Sequence, residues 1–377
     1  MQNNKLKGLL AASATAALLG TAPHAGAFTI ASGNGLEASL YGYLRMNATY
    51  DFDQNIASPA ATGNYGALGP TGEDITGHFN ASAQQSRIGM RVATDAGVRF
   101  TVEGDFRGAS GGFRMRHAYG EYNGFLMGQT WTNFLSFRGF TPSLDVDSHP
   151  GVAGFLGRVN QVRYTTGGLS VSVEQTRLQV EGGPATRNSA PTFTARFEDS
   201  LGGINYAVGA LAHQVTVDDG STDESELGYI GFIGASWPVT GNLTLHAAAN
   251  YGDGANTYLY RSGENFISDD AYFDGSSLQT LTGYSGSLGA TIKVAERRTV
   301  NLAYGAATVD WDDAVDDLGL GAVGDKSETN TKAMINHQWS LTPNLMVGVE
   351  YAYHSRKNVD GEKYDSNRIM FASHFSF

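Results

Sequence analysis

The chain has 377 residues, a formal net charge of −12 and no cysteine. The lack of cysteine excludes a small fold held by disulfides, and an acidic balance without a basic patch excludes a nucleic-acid partner. No stretch approaches the roughly 18 consecutive apolar residues of a helical span, which excludes a helical membrane protein. The 49 glycines, 18 tyrosines and modest apolar content fit a wide β-barrel, in which only alternate strand residues contact lipid.

The start of the chain has the pattern of a secretory signal peptide. Lys5 and Lys7 form a basic start, an apolar stretch covers 9–19, and Ala25-Gly26-Ala27 supplies small residues for cleavage. The apolar stretch is too short to span a bilayer. The sequence therefore predicts a leader over residues 1–27, export from the cytoplasm, and one barrel domain over 28–377.

A regular alternation of apolar and polar residues begins with a strand predicted over 36–50. Leu44 and Met46 lie on one face of this strand, while Arg45 and Asn47 lie on the other. Because successive strand side chains point to opposite faces, the strand has one apolar face and one hydrated face. This pattern is typical of a strand between lipid and an aqueous lumen.

The next two predicted strands carry polar faces that a dry core could not hold. The second strand begins at Gln84, and the third ends at Arg107. Their inward residues are Gln85, Arg87, Arg91, Arg99, Thr101, Glu103, Asp105 and Arg107. The third strand has no apolar residue on this face, so we expect the face to line water.

Turn residues divide the rest of the chain into further strands. Asn123-Gly124 favours a type I′ hairpin between the fourth and fifth strands. The later strands are predicted near 159–165, 169–177, 192–198, 204–215, 227–237, 243–251, 278–294, 299–309, 329–341, 345–354 and 364–377. Short turns such as 240–242 and 342–344 alternate with long loops such as 52–79 and 252–276. About sixteen strands result, and bacterial outer-membrane barrels have even strand numbers with this alternation of turns and loops.

The last predicted strand ends the chain on an aromatic residue. Ile369, Phe371 and Phe375 share one face, and Arg368 and His374 share the other. A chain end is normally solvated, so we expect this apolar face to meet lipid where a barrel closes. Tyrosine and tryptophan near strand ends are expected to form the interfacial girdles. They are Trp237, Tyr251, Tyr284, Trp339, Tyr351 and Tyr353.

The alternation leaves one other fold open, a periplasmic or secreted β-sandwich or propeller. Such a fold needs a dry core, whereas nearly every predicted strand here has one polar and one apolar face. The predicted fold class is therefore all-β, a transmembrane antiparallel β-barrel of about sixteen strands in a Gram-negative outer membrane. Outer-membrane lipid and lipopolysaccharide are its expected surroundings, with acidic stretches such as 310–317 in solvated loops.

The segment Thr132–Gly157, between the fifth and sixth strands, is too apolar for a loop in water. It lacks a long alternation, so it is not a strand either. The residues that need burial are Phe134, Phe137, Phe140, Leu144 and Phe155. Long loops of this kind are usually functional, and folding inward against the barrel wall would bury these side chains. The alternatives are a cap over the mouth or a contact in a trimer.

On that interpretation Asp145 and Asp147 project toward the pore. Inward arginines of the wall face them, and these are Arg45, Arg87, Arg91, Arg99, Arg107, Arg114, Arg116, Arg163 and Arg196. Carboxylates on one side and guanidiniums on the other create a transverse field, and arginine forks suit carboxylate or phosphate. About half of these arginines are expected in wall ion pairs, for example with Glu103, Asp105 or Glu121. The remaining excess favours small anions.

The stretch FRMRHAYGEYNGFLMGQTWTNF at 113–134 resembles the DcaP-like outer-membrane porins. Similar elements are TPSLD at 141–145, RVNQVRYT at 158–165, YGYLRMNATYDFD at 41–53 and SRIGMRVATD at 86–95. The resemblance covers essentially the whole chain after the leader. It implies a homotrimer of sixteen-stranded barrels, an inward third loop, and a preference for small negatively charged solutes such as dicarboxylates. It also implies that the constriction is lined or braced by Arg114, Arg116, Gln129, Asp145 and Arg163.

Some members of this family carry a helical coiled-coil extension before the barrel. In this chain the first predicted strand, at Leu36, begins about eight residues after the predicted cleavage, so no such extension is expected. This is where the sequence departs from those relatives.

Other functions find weaker support in the sequence. A lipase-like enzyme would need a serine beside a histidine, but none of His117, His213 and His337 has a matching serine, so no catalytic residue is expected. The segment Asp145–His149 is rich in oxygen ligands but lacks the glycine and distal glutamate of a calcium loop, so no metal is expected. No cofactor is expected because the glycine-rich segments are not followed by a helix.

Two non-enzymatic alternatives remain. A sugar-specific channel uses a slide of aromatic rings, for which Tyr41, Tyr43, Tyr122 and Trp131 are candidates. A structural or adhesin barrel would have a plugged lumen, which the wide polar inner face argues against. The sequence therefore predicts a porin for passive diffusion of small hydrophilic solutes, with small anions preferred.

Overall fold

The computed structural model describes residues 28–71, 75–264 and 266–377, and the predicted leader lies outside them. In chain order the strands are β1 (Phe28–Gly33), β2 (Leu36–Asp51), β3 (His78–Ser82), β4 (Arg87–Thr94), β5 (Arg99–Asp105), β6 (Arg114–Tyr122), β7 (Phe125–Trp131), β8 (Arg158–Thr166), β9 (Leu169–Glu174), β10 (Val180–Glu181), β11 (Thr192–Leu201), β12 (Ile204–Asp218), β13 (Asp223–Pro238), β14 (Leu243–Asp253), β15 (Ala271–Phe273), β16 (Leu278–Thr280), β17 (Thr282–Ala295), β18 (Arg298–Val309), β19 (Ser327–Thr342), β20 (Leu345–Asn358) and β21 (Lys363–Ser376). The helices are α1 (Asp312–Leu318) and α2 (Leu320–Val323). None of the described helices has the length and apolar content needed to cross a membrane.

Eighteen strand segments of the described residues join into one antiparallel sheet that closes on itself. β3 and β4 pair with successive stretches of β2, so they are two parts of one interrupted strand. β1 is a short arm on β2, and β2 pairs with β21 from Tyr43 opposite Ser376 to Asp51 opposite Arg368. The described chain therefore forms a closed antiparallel barrel of sixteen strands, which confirms the predicted fold class.

The alternation of faces follows the sequence pattern. In β21, Ile369, Phe371 and Phe375 are 40–47% exposed on the outer face. Arg368 and His374, on the other face of the same strand, are buried toward the interior. Closing the ring pairs β2 with β21, so the barrel joins its first and last strands and presents apolar side chains to its surroundings.

The structure also has strands that the alternation did not predict. β1 covers Phe28–Gly33, where the sequence predicted no strand, and β3 lies partly within the predicted loop 52–79. β15 lies in the predicted loop 252–276, while the predicted strand 278–294 is divided into β16 and β17; β15 and β16 form a small separate sheet with β10. The short segments β1, β3, β10, β15 and β16 have two to six residues. So short a run gives too few alternations to be recognised by its period.

The third loop, residues 132–157, folds into the barrel, as its apolar content predicted. Phe134, Phe155 and Val152 are buried and belong to one apolar cluster with Phe232 of β13 and Trp311 of the β18–β19 loop. Phe232 and Trp311 thus belong to parts of the barrel distant in sequence from the third loop. Burial of the loop's aromatic residues therefore holds it inside the barrel.

Candidate pore constriction

The third loop is attached to one side of the inner wall. Ser136 Oγ donates to Glu198 of β11 at 2.6 Å, and the Leu144 N–H donates to Glu350 of β20 at 2.7 Å. Between these points, Ser287 Oγ of β17 donates to the Gly151 carbonyl at 2.8 Å. The loop thus runs along β11 to β20 and leaves open space against the opposite strands, β4 to β8.

The open space is a cavity of about 310 Å³ between the third loop and strands β4 to β8. Its charged lining residues are Arg87, Arg107, Arg114, Arg116, Arg158, Arg177 and Asp147. Its aromatic lining residues are Trp131, Phe155, Tyr260 and Phe266. Six guanidiniums therefore share this cavity with one carboxylate.

Carboxylates neutralise three of the six arginines. Arg107 and Asp147 form a bidentate pair with distances of 2.8 and 2.7 Å. Arg114 Nη2 lies 2.7 Å from Asp105. Arg116 lies 2.8 Å from Glu103 and 3.0 Å from Asp105. Asp147 of the third loop and the acids Glu103 and Asp105 of β5 thus fix these side chains in place.

The other three arginines are not compensated in this way. Arg87 approaches Glu103 only at 4.0 Å. Arg158 and Arg177 have no ion pair within 4.0 Å in the described part of the chain; each lies over an aromatic ring instead. Buried N–H groups of Arg87, Arg116 and Arg158 have no hydrogen-bond partner among the described residues. An unpaired buried donor is costly, so these groups lack a partner that the described residues do not supply.

Other arginines of the predicted site anchor the third loop instead of lining the cavity. Arg45 is buried and donates to the Leu144 carbonyl, and Arg196 donates to the Leu135 carbonyl. Both side chains lie behind the loop. They therefore set the position of the constriction without facing the cavity.

The remaining predicted residues lie on the wall of the lumen. Arg91 stacks on Tyr41 with its guanidinium carbon 4.0 Å from the ring centroid, and Arg99 pairs with Glu121 at 3.5 Å. The half-buried Arg163 of β8 pairs in register with Leu126 and Ser172. Gln129 lines the cavity and donates to the carbonyls of Met115 and Arg116.

Asp145 lies in a buried network behind the loop. Lys332 of β19, fully buried, has its Nζ 3.4 Å from Asp145 and 3.3 Å from Glu350. The Gly63 N–H donates to Asp145 at 3.0 Å, and Arg261 donates to the Asp147 carbonyl at 2.9 Å. Asp145 is thus a structural carboxylate that ties together the loop between β2 and β3, the third loop and the wall.

Sequence reasoning missed Arg158, Arg177, Lys332, Glu350 and Arg261. Arg158 shares its parity on β8 with the exposed Val162 and Tyr164, so strict alternation assigns it to the outside. Its side chain instead lies over Trp131 and lines the cavity. Arg158 is the first residue of β8, and no period-2 signal could have shown that its side chain reaches the cavity.

The pairing of Asp145 predicts how docking of the third loop depends on pH. Burial alone would raise the pKa of Asp145, but the positive charges of Lys332 and Arg261 outweigh it and hold the pKa at about 2. A carboxyl with a lowered pKa stabilises the folded state above its ordinary pKa, 3.8, and loses that contribution as the pH falls through the lower value. We expect single-channel conductance to be constant from pH 7 to about pH 4 and to become noisy toward pH 2. Noisy single-channel conductance already at pH 5 would contradict this prediction.

A closed β-barrel with an inward-folded loop and a charged internal cavity defines a channel of the porin class. The family model for the DcaP outer membrane protein matches residues 25–377, and the chain belongs to this family. It is an outer-membrane channel protein and not an enzyme. No curated protein matches the chain.

Solved structures agree with this assignment. The outer membrane channel DcaP of Acinetobacter baumannii is 27% identical, with a TM-score of 0.81, over 93% of this chain and 100% of that one. The anion-selective porin from Comamonas acidovorans is 14% identical, with a TM-score of 0.56, over 91% and 100%. The trimer form of OmpT from Vibrio cholerae is 12% identical, with a TM-score of 0.52, over 91% and 100%. At such low identity the last two show the fold alone.

Proposed function

We propose that the chain is a passive diffusion pore for small hydrophilic solutes that prefers small anions, dicarboxylates among them. The observation that carries the proposal is the cavity lining, six arginines against one carboxylate that is already paired. When Glu103 and Asp105 of the β5 wall are also counted, the six arginines still outnumber the three acids two to one. A small anion that enters meets uncompensated guanidiniums, whereas a cation meets repulsion.

The aromatic residues of the cavity do not favour a sugar channel. Arg158 covers Trp131, with its guanidinium carbon 3.5 Å from the ring centroid, and Arg177 covers Phe155 at 4.8 Å. A sugar slide needs exposed ring faces on which pyranose rings can stack. Here guanidiniums occupy those faces, so the rings support the cations and do not bind sugar.

The barrel's low wall supports assembly as a homotrimer. β5, β7 and β9 have seven, seven and six residues, about 20–23 Å at about 3.3 Å per residue. The apolar band of an outer-membrane barrel is about 25 Å tall. Lipid alone would therefore meet polar loop atoms here, and a second copy of the chain is the partner that fits. Strand length therefore favours the side of the barrel that contains β5, β7 and β9 for this contact.

The test of the proposed function is the reversal potential of the purified protein in a planar bilayer under a KCl gradient. We expect conductance in steps of three, with chloride preferred over potassium. We also expect the current in potassium succinate to be larger than the current in the potassium salt of a bulky anion. A preference for potassium would contradict the anion proposal. An absence of conductance would contradict the pore itself.

An Asp147→Asn variant is expected to increase the anion preference. The substitution leaves Arg107 without its carboxylate and adds one net positive charge to the cavity lining. One unit charge at about 4 Å in water is worth about 1 kcal/mol, roughly a fivefold change in the chloride-to-potassium permeability ratio. The measurement is the reversal potential at low salt. Asp219→Asn, in an exposed loop, is the matched control, and an equal increase in that variant would sink the prediction.

A further inference from the structure

We infer that His117 is a positioning residue of the constriction: as a neutral imidazole it holds Arg158 against Trp131 without cancelling the charge of Arg158. The inference rests on the proposed anion pore and names a residue that sets its selectivity. His117 belongs to β6, is buried, and does not belong to the cavity lining. Its influence on a passing ion therefore goes through Arg158.

The hydrogen bonds of His117 fix its protonation state. Arg158 Nε donates to His117 Nε2 at 3.1 Å. A guanidinium has donors only, so Nε2 must offer its lone pair and carries no hydrogen. His117 Nδ1 lies 2.8 Å from Thr130 Oγ1, to which it donates its single hydrogen. The imidazole is therefore neutral, with the tautomer set by Thr130 on one side and Arg158 on the other.

A β-bulge places the imidazole at this point. Glu103 of β5 is opposite His117, but the next residue, Gly104, is opposite Met115, so Arg116 is an extra residue in β6. An extra residue bends the strand and breaks the alternation. As a result Arg116 and His117 are both buried on the inner side, one after the other.

The chemistry of the acceptor decides the charge of the site. An arginine that is held by a carboxylate loses most of its field, as Arg114 does beside Asp105. A neutral imidazole gives Arg158 a fixed position and leaves its full charge facing the cavity. Glu103 lies 3.9 Å from His117 Nε2 and is already bonded to Arg116 at 2.8 Å. The guanidinium of Arg158 is also 3.5 Å from the Trp131 centroid, and its buried Nη2 has no hydrogen-bond partner among the described residues.

Four variants separate position from charge. His117→Gln keeps a neutral acceptor and is expected to keep the wild-type chloride-to-potassium permeability ratio. His117→Leu removes the acceptor, and His117→Glu adds a counter-charge, so both are expected to lower the ratio. The expected decrease is up to about fivefold, the equivalent of one unit charge at about 4 Å in water. Thr130→Val removes the partner of Nδ1, and we expect an intermediate decrease although Thr130 does not line the cavity.

The direct variant Arg158→Ser keeps this inference distinct from the proposed function. If Arg158→Ser lowers the ratio while His117→Leu and Thr130→Val leave it unchanged, the inference is overturned and the anion pore stands. If the wild type itself shows no chloride preference, the proposed function fails. Heat-modifiable migration on a gel shows whether each variant has folded. If His117→Leu does not fold, the nearly isosteric Thr130→Val variant still tests the inference.

Discussion

An Arg87→Ser/Arg158→Ser variant is expected to lose most of the anion preference while keeping an open, folded pore. The two guanidiniums face the cavity, and neither has a carboxylate closer than 4.0 Å in the described residues. Their removal leaves no carboxylate without a partner, because Glu103 keeps its bond to Arg116 at 2.8 Å. Each charge at about 4 Å in water is worth about 1 kcal/mol, so the pair corresponds to a roughly 25- to 30-fold change in the permeability ratio.

The measurement is the reversal potential under a KCl gradient at low ionic strength, where screening does not hide the charges. Arg187→Ser is the control, because Arg187 pairs with Asp218 at the end of β12 and Asp223 at the start of β13, and none of the three lines the cavity. That variant changes the net charge by one without touching the constriction. A double variant with wild-type selectivity would mean that the current passes the arginine cavity by another route, and the proposed constriction would have to be abandoned.

The barrel itself could be predicted from the sequence because its inward and outward side chains alternate with a regular period. In β2 and β21 the inward and outward residues alternate without a break over many positions, and turn residues separate such strands. The buried loop was readable for a different reason. Phe134, Phe155 and Leu144 could not stay in water, and a barrel interior offers one place for them.

The details of the site could not be predicted because they depend on departures from periodicity. Arg158 lines the cavity from a position that alternation assigns to the outside, and the bulge at Arg116 shifts His117 inward. The network of Lys332 and Glu350 needs partners about 190 to 210 positions away in the chain. Neither the composition of the chain nor the spacing of its motifs predicts pairs between residues so far apart in the sequence. The twelve sequence-predicted residues therefore divide into cavity lining, loop anchors and lumen wall only once the fold is known.

A Lys332→Met variant is expected to release the third loop and destabilise the barrel's interior. Lys332 is fully buried, and its Nζ lies within hydrogen-bond distance of Asp145, Glu350 and the Ser148 carbonyl. Removing the cation leaves two carboxylates buried without their common partner. Removing one member of a buried ion pair costs about 3–5 kcal/mol. Because these groups tie the loop to β19 and β20, we expect a higher and noisier single-channel conductance. We also expect the folded barrel to unfold at a lower temperature, measured by its heat-modifiable migration on a gel.

The network can be tested by neutralising both signs at once. In Lys332→Met/Glu350→Gln the glutamine can still accept from the Leu144 N–H, which Glu350 binds at 2.7 Å, and one uncompensated carboxylate is gone. The double variant is therefore expected to recover much of the lost stability, since groups in one network are not additive. Lys357→Met is the control, because Lys357 pairs with Glu328 at 2.6 Å on the surface, where an ion pair is worth about 1 kcal/mol or less. If Lys332→Met proves as mild as Lys357→Met, the apolar contacts of the loop suffice to hold it, and the buried charges serve to orient Asp145 and Asp147 and not to fasten the constriction.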